Sequence, residues 1–209
     1  MPLIKTEAIN RSAAVALWKT EETIEELKEL LDLSLERTEE FERILHEGKQ
    51  KDWLAGRLAM RYLADFCGIS YNGLSKDENG KPYLNNHPFH ISLSNSYKYV
   101  ACIIHKSNPV GIDIEYIKYK IRDIKHKFLS QQELDEVQGN VKAITEYWCG
   151  KEVLYKINGR RGMTFSSDFW IEKVGPDELV GHIKTDELDA SYPIRIEKID
   201  NHILAYNTE

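Results

Sequence analysis

The sequence is poor in cysteine, and its cysteines form neither a disulfide framework nor a zinc motif. Cys67, Cys102 and Cys149 are the 3 cysteines in the chain, an odd number with no C-x-x-C spacing. Each lies in an apolar or helical stretch of sequence. We therefore expect buried free thiols in a reducing compartment rather than disulfides or a zinc site.

Long apolar segments are also missing from the sequence. No apolar run approaches the roughly 20 residues that a membrane helix needs. Residues 1–5 have no signal-peptide pattern. These absences predict a cytoplasmic protein that has no membrane partner.

Basic residues are fewer than acidic ones, 28 Lys and Arg against 34 Asp and Glu. The formal net charge of -6 disfavours general nucleic-acid binding, which needs a basic surface. Hydrophobic residues make up 42% and charged residues 30% of the chain, a globular balance that argues against wholesale disorder. A chain of 209 residues suits one large domain or two small lobes.

Hydrophobic periodicity predicts a mixture of helices and strands. A helical pattern covers 20–47, a stronger helix covers 51–67, and another covers 145–157. Ser130 and Glu133 have capping-box spacing, which predicts a helix start. Strands are predicted within 3–18 and over 90–94, 99–104, 110–116, 169–174, 180–184, 192–199 and 203–206.

A weak internal echo links the two halves of the chain. Trp53 is followed eight residues later by Arg61, and Trp148 eight residues later by Lys156. Each helix precedes a predicted strand pair, which suggests two similar α+β lobes, although one repeated spacing can also arise by chance. The predicted lobes are 1–108 and 109–209.

Two carboxylates lie two residues apart in a predicted strand. Side chains alternate along a strand, so Asp113 and Glu115 share one face, and Ile112 and Ile114 face the other way. Two carboxylates this close repel each other unless a cation lies between them, and Mg²⁺ prefers oxygen ligands. The alternative is a pair of solvated acids on an edge strand.

A third carboxylate lies on the helix predicted over 145–157. Glu152 and Lys156 are four residues apart and share a helix face, and Lys151 adjoins them. Alone, this spacing fits an ordinary surface ion pair, which contributes little to stability.

The two acidic segments together resemble the signature of the 4′-phosphopantetheinyl transferases, in their longer, single-chain, surfactin-synthetase-activating type. The matching motifs are G-I-D-I-E at 111–115 and W-C-G-K-E-x-x-x-K at 148–156. Further matches in the same order are Arg61, Gly80-Lys81-Pro82, the I-S-L-S segment at 91–94 and F-L-S-Q-Q-E at 128–133. The resemblance covers about residues 50 to 165.

The resemblance implies an α+β fold of two pseudo-symmetric lobes, each a small antiparallel sheet packed with helices. The metal-binding motifs would lie in the second lobe. It implies Mg²⁺-dependent transfer of 4′-phosphopantetheine from coenzyme A to a serine of an acyl or peptidyl carrier protein, as in holo-acyl-carrier-protein synthases. Mn²⁺ would also suit oxygen ligands. One chain would hold a complete site, which predicts a monomer.

The resemblance also implies a role for each motif residue. Asp113, Glu115 and Glu152 would bind the metal, and Asp113, Glu152 and Lys156 would be catalytic. Glu152 would take the proton of the serine hydroxyl, directly or through a water molecule. The implied coenzyme A contacts are Arg61, Lys81, Pro82, Ser94, Asn95, Lys151 and Lys156, with Lys151 orienting the site rather than taking part in the chemistry.

One position departs from the family pattern. The usual I-S-x-S-H-S segment has a histidine where this chain has Asn95. Asparagine can donate a hydrogen bond to a phosphate but carries no charge. We therefore expect weaker coenzyme A binding and an intact metal site.

A basic run follows the acidic strand. Lys118, Lys120, Arg122 and Lys125 lie close together in an otherwise acidic chain. Such a run can be an ordinary solvated loop, but here it adjoins the motif beside which the family docks acidic carrier proteins. These four residues are therefore predicted to bind the carrier protein.

Two other functions remain open on the sequence. The chain can be a coenzyme A or carrier-protein binding module with weakened catalysis, a view that rests on Asn95. It can also be an unrelated Mg²⁺-dependent phosphodiesterase, which would need further acids or a histidine near the metal and a basic groove.

Overall fold

The computed structural model describes residues 3–36, 38–159, 162–186 and 188–209. It divides into two compact units, Met1–Pro109 and Val110–Glu209. This division lies one residue beyond the boundary predicted after residue 108. In the part of the chain described, no helix is long and apolar enough to cross a lipid bilayer.

The first unit is a four-stranded antiparallel sheet with one long helix packed against it. The strand order is β1-β2-β6-β5, and β3 and β4 form a separate hairpin. The elements are β1 (Leu3–Ala8), β2 (Ala13–Lys19), α1 (Ile24–Leu30), α2 (Thr38–Glu42), α3 (Glu47–Phe66), β3 (Leu74–Lys76), β4 (Pro82–Leu84), β5 (His90–Ser96) and β6 (Tyr99–His105).

The single helical pattern predicted over 20–47 is wrong, because the structure breaks it into short pieces. Helix α1 ends at Leu30, and Leu31 has an extended backbone. The carboxylate of Asp32 then accepts a hydrogen bond from the Ser34 backbone N–H at 3.0 Å and caps a 3₁₀ turn, Leu33–Leu35. A side chain that bonds the nearby backbone in this way competes with a continuous helix.

The second unit is a five-stranded antiparallel sheet covered on one face by a long helix. Its strand order is β7-β11-β10-β9-β8. The capping box predicted at Ser130 is present at the start of α5. The elements are β7 (Ile112–Tyr116), α4 (Ile121–Ile124), α5 (Gln131–Val137), α6 (Val141–Ile157), β8 (Phe169–Lys173), β9 (Glu178–Lys184), β10 (Asp189–Ile199) and β11 (His202–Asn207).

The two units repeat one internal arrangement, which confirms the predicted α+β fold of two similar lobes. In each, a strand is followed by short helices, one long helix and two hairpins. The strand that precedes the short helices pairs with the last strand of its unit, as β2 does with β6 and β7 with β11. The long helices α3 and α6 pack on these strand pairs.

In each unit, a buried carboxylate that precedes the long helix joins this helix to the first strand after it. Glu36 bonds Arg57 of α3 and accepts the backbone N–H of Leu74, 38 residues later. Glu133 bonds Lys151 of α6 and accepts the backbone N–H of Ile171, also 38 residues later. The repeat therefore extends from the topology to individual hydrogen bonds.

Candidate active site

The two strand carboxylates face the long helix of their unit. In the β7–β11 register, Asp113 lies opposite Ala205 and Glu115 opposite Ile203. Ala205 and Ile203 belong to the apolar cluster beneath α6, so the carboxylates lie on that face. Ile112 and Ile114 are buried on the other face, as the alternation predicted.

Helix α6 presents a stripe of three functional side chains to these carboxylates. Trp148, Glu152 and Lys156 follow one another at intervals of four residues and so share a helix face. The Nζ of Lys156 donates to Asp113 Oδ1 at 2.7 Å and to the Ile112 carbonyl at 2.7 Å. Trp148 and Glu115 line one hollow. Glu152 therefore lies on the turn between Trp148, which lies beside Glu115, and Lys156, which bonds Asp113.

Burial and mutual repulsion make it costly for both carboxylates to be ionised. Burial and then the charge of Asp113 raise the pKa of Glu115, and Trp148 and the charges of Lys156 and Lys118 only partly oppose this. Asp113 is only 3% exposed. A cation placed between the two carboxylates would relieve this cost.

Cys149, which lies beside these carboxylates, is unreactive. Cys149 is fully buried, and its thiol donates to the Ile203 carbonyl at 3.7 Å. Burial, followed by the negative charges of Asp113 and Glu115, raises its pKa well above the ordinary value. A thiol with a raised pKa is a poor nucleophile, so Cys149 fills space. All three cysteines are free, as predicted, but Cys67 is half-buried rather than buried, because it lies at the end of α3.

A glycine sets the distance between the strand and the helix. Gly111 directly precedes β7, and a Cβ atom built there would lie 2.2 Å from the carbonyl oxygen of Val153 in α6. The Cβ atom would be fixed to the backbone at 111, and the atom it meets is backbone of α6. The clash could therefore be relieved only by moving β7 away from α6. The bare backbone at 111 therefore lets the strand carboxylates approach α6.

The donor set suits a hard divalent cation. Asp113, Glu115 and Glu152 offer only oxygen ligands, the kind that Mg²⁺ and Mn²⁺ prefer. Across residues 3–36, 38–159, 162–186 and 188–209, no three His, Cys, Asp or Glu side chains are arranged to hold a metal ion. The Lys156 ammonium is instead the cation bonded to Asp113.

Lys151 lies in the core of the unit rather than on a ligand-binding surface. It is 0% exposed. Its Nζ donates to Glu133 Oε2 at 2.6 Å and to three backbone carbonyls. Burial lowers the pKa of Lys151, and the hydrogen bond and charge of Glu133 oppose this. This placement agrees with an orienting role and leaves its ammonium turned away from solvent.

Comparison with known proteins finds a family model that matches the second unit. The family model that matches is that of the 4′-phosphopantetheinyl transferase superfamily, over residues 109–206. That range contains every residue of the α6 stripe and both strand carboxylates. The second unit is thus similar to the 4′-phosphopantetheinyl transferase superfamily over nearly its whole length.

Two curated relatives extend the similarity beyond the second unit. A 4′-phosphopantetheinyl transferase of Bacillus subtilis is 29% identical over 188 residues, which is 84% of this chain and 80% of the relative. The 4′-phosphopantetheinyl transferase Sfp of Bacillus subtilis strain 168 is 28% identical over 186 residues, 78% of this chain and 81% of the relative.

The coenzyme A contacts that the transferase family implies in the first unit lie at two places along β5. Lys81 directly precedes β4, which begins at Pro82. Strand β5 begins at His90, whose pKa is lowered by burial and then by the charge of Lys81. Ser94 and Asn95 lie near the end of β5. At about 3.3 Å per residue, the strand separates His90 from Ser94 by about 13 Å. Arg61 donates to the Leu30 carbonyl at 3.1 Å and so holds the end of α1.

An acidic neighbour of Asn95 was not predicted. The amide nitrogen of Asn95 donates to Asp52 Oδ2 at 2.7 Å. Lys49 lies 3.1 Å from the same carboxylate oxygen. The two partners are 43 residues apart, so no local sequence pattern could have joined them.

The basic run lies beside the carboxylate pair. Lys118, Lys120 and Arg122 are exposed and Lys125 is half-buried. Two of them, Lys118 and Lys120, line a hollow of about 250 Å³. Its other lining residues are Glu115, Tyr116, Ile121, Ile124 and Trp148. Phe128 and Leu129 are buried in the core. Tyr119 and Ile124, in contrast, are exposed apolar side chains beside the basic run.

We predict that Glu115→Gln stabilises the protein at neutral pH when no divalent cation is present. The raised pKa means that the folded chain holds a proton on Glu115 more tightly than the unfolded chain does. Stability contributed by this group is therefore greatest at acidic pH and is lost as pH rises through the range of its pKa. Urea unfolding between pH 4 and pH 8 measures the effect.

The matched control for this prediction is Glu29→Gln, at an exposed position of α1. The gain from Glu115→Gln should shrink towards acidic pH, whereas the control should show no such trend. A variant less stable than wild type at pH 7 would contradict the repulsion argument.

Proposed function

We propose that this protein transfers the 4′-phosphopantetheine group of coenzyme A to a serine of an acyl or peptidyl carrier protein, with Mg²⁺ as cofactor. The observation that carries the proposal is the facing arrangement of Asp113 and Glu115 on β7 with the Glu152–Lys156 turn of α6. The similarity of residues 109–206 to the 4′-phosphopantetheinyl transferase superfamily supports the reaction class.

Three carboxylates are proposed to hold the metal. Asp113, Glu115 and Glu152 supply oxygen ligands from two elements, and the raised pKa of Glu115 is the electrostatic cost that a cation would remove. The bound cation would neutralise charge on the pyrophosphate of coenzyme A during phosphoryl transfer. Mn²⁺ would serve the same ligands.

Lys156 is proposed to change partners during the reaction. Its ammonium bonds Asp113 here, which keeps a buried carboxylate paired. When that carboxylate binds the metal, the same ammonium would be released to donate to a substrate phosphate one helix turn from Glu152. Glu152 would accept the proton of the carrier serine, directly or through water.

The coenzyme A nucleotide is proposed to contact the first unit through Lys81, Pro82, Ser94, Asn95 and Arg61. Asp52 opposes this at one point, because it brings a negative charge to the side chain expected to face a phosphate. Three lysines, Lys49, Lys51 and Lys98, line a hollow of about 350 Å³ that includes Asp52. The local charge therefore remains positive.

The carrier protein is proposed to dock on the basic run. Lys118, Lys120, Arg122 and Lys125 would attract an acidic partner. Glu115 itself lines the neighbouring hollow, so a partner held there would lie beside the metal ligands. We propose that the protein acts as a monomer in the cytoplasm.

A second candidate function is a coenzyme A or carrier-protein binding module with weakened transfer. The hydrogen bond between Asn95 and Asp52 favours it, because a neutral amide and a carboxylate replace the family's histidine contact. The three carboxylates and Lys156 all remain in place, which favours the active enzyme.

Incubation with coenzyme A, Mg²⁺ and an apo carrier protein tests the activity directly. We expect mass spectrometry to detect phosphopantetheine added to the carrier. Asp113→Ala and Asp113→Asn should slow transfer by about 100-fold or more, because one charged metal ligand is lost. Asp189→Ala, at an exposed site on β10, is the control. Chelation by EDTA should abolish transfer, and full activity of folded Asp113→Asn would remove the metal assignment.

Changes at position 95 test the nucleotide contact. Asn95→His should tighten coenzyme A binding by about fivefold, since a charge-assisted hydrogen bond replaces a neutral one. Asp52→Asn should also tighten binding by removing an opposing charge. Asp65→Asn, exposed on the same helix α3, is the control. An unchanged or higher Kd for Asn95→His, measured by calorimetry, would refute a phosphate contact at this position.

Charge reversal tests the docking surface. Lys120→Glu/Arg122→Glu should raise KM for the carrier protein by about tenfold or more and leave the Kd for coenzyme A unchanged. The control is Lys184→Glu/Lys198→Glu, which makes the same charge change at exposed strand positions of the second unit. Equal effects on carrier and coenzyme A, or equal effects of the two double variants, would exclude this surface.

A further inference from the structure

We propose that the buried Glu133–Lys151 pair is a positioning device that holds the Trp148 ring and, through it, the carboxylate of Glu115. This inference deepens the proposed function, because it assigns a role towards the metal site to two residues that do not touch it. It rests on the hydrogen bonds of one buried ammonium group.

The Lys151 ammonium joins four parts of the second unit. Its Nζ lies 2.6 Å from Glu133 Oε2, 2.7 Å from the Phe128 carbonyl oxygen, and 2.9 Å from the carbonyl oxygens of Phe165 and Phe169. An ammonium group has three N–H donors, so these four acceptors share them. Every direction around Nζ is therefore committed to the protein.

Glu133 completes the device and leaves no net charge in the core. It is 2% exposed. Its Oε2 also accepts the Ser130 backbone N–H at 2.7 Å, and its Oε1 accepts the Ile171 backbone N–H at 2.9 Å. The pair thus ties the start of α5 and strand β8 to the middle of α6.

The carbonyls that Lys151 holds belong to the residues whose rings clamp Trp148. The Phe128 ring meets the indole edge-on at 4.8 Å, and the Phe165 ring stacks on it at 5.5 Å. Fixing the two carbonyls fixes the backbone from which both rings project. Lys151 therefore sets the position of the clamp rather than that of the tryptophan alone.

Trp148 carries this order to the carboxylate. The indole lines the same hollow as Glu115, which is half-buried and faces repulsion from Asp113. A looser indole would let the Glu115 carboxylate turn away from Asp113. Groups that orient metal ligands from outside typically contribute 10–100-fold in metal affinity.

Stability alone is a weak reason for a buried ion pair at this position. Taking two charges out of water is expensive, and apolar or neutral replacements of similar size are often as stable. What an apolar side chain cannot supply is a set of hydrogen bonds to chosen backbone carbonyls. Fixed geometry is therefore the property that distinguishes Lys151 from a leucine or methionine.

The test compares four variants. Lys151→Met leaves the Glu133 carboxylate buried without its cation, so it should unfold at much lower urea concentration. Glu133→Gln/Lys151→Met removes both charges and should recover most of that loss. Phe165→Leu removes one ring of the clamp and leaves the pair intact. Lys142→Met is the control on the same helix, because it breaks an ion pair with Glu146 that Lys173 also supports.

Two measurements separate positioning from folding. Hydrogen exchange of the indole N–H groups, followed by NMR and assigned with Trp148→Phe, reports the order of the clamp. Electron paramagnetic resonance of free Mn²⁺, in the presence of coenzyme A, reports metal affinity without any turnover.

We expect Trp148 exchange to accelerate by about tenfold or more in Glu133→Gln/Lys151→Met and in Phe165→Leu. Mn²⁺ affinity should fall by about tenfold or more in the same two variants, and Lys142→Met should match wild type in both measurements. Unchanged exchange and affinity in the stable double variant would overturn the inference and reduce the pair to a structural role.

The two proposals fail in different ways. If wild-type protein bound no Mn²⁺ and transferred no phosphopantetheine, the proposed function would fall, yet Trp148 exchange would still decide whether the pair orders the clamp. If transfer and Mn²⁺ binding were normal in every variant, the function would stand and the positioning role would fall.

Discussion

The second unit depends on an ion pair that water does not reach. Lys151 of α6 and Glu133 of α5 bond each other, and together they bond backbone groups around the start of α5, before β8 and in β8. A charge placed there without its partner would cost several kcal/mol, roughly the scale of a domain's whole stability. The pair therefore constrains which arrangement of these elements is acceptable, and the carboxylates of β7 are presented to α6 within that arrangement.

The sequence was informative wherever function follows a local period. Alternation placed Asp113 and Glu115 on one strand face, and helical spacing placed Glu152 and Lys156 on one helix face; the structure has both. Sequence reasoning failed where the partner is distant along the chain. Lysine is usually a surface residue, so nothing in the sequence indicated that Lys151 is buried. Its burial depends on the ion pair with Glu133, 18 residues earlier. Asp52 gave no signal, because its contact with Asn95 depends on the fold.

The repeated arrangement shows how one frame can carry two kinds of side chain. Counted from the β5–β6 and β10–β11 turns, Ala16 and Trp18 of β2 occupy the positions that Asp113 and Glu115 occupy on β7. Ala16 and Trp18 pack in the apolar core beneath α3. The first unit thus uses these positions for packing, whereas the second accepts the desolvation cost of two carboxylates. Similar frames with unequal contents are what divergence after duplication would leave.

The contact at Gly111 has a genetic consequence. Every single-base change of a glycine codon that alters the residue introduces a side chain with at least a Cβ atom. At position 111 that atom would meet the Val153 carbonyl oxygen at 2.2 Å, between two backbones that cannot separate without moving β7 from α6. Even alanine, the smallest of these replacements, is excluded on steric grounds. No single-base substitution that changes residue 111 therefore preserves the close approach of β7 to α6.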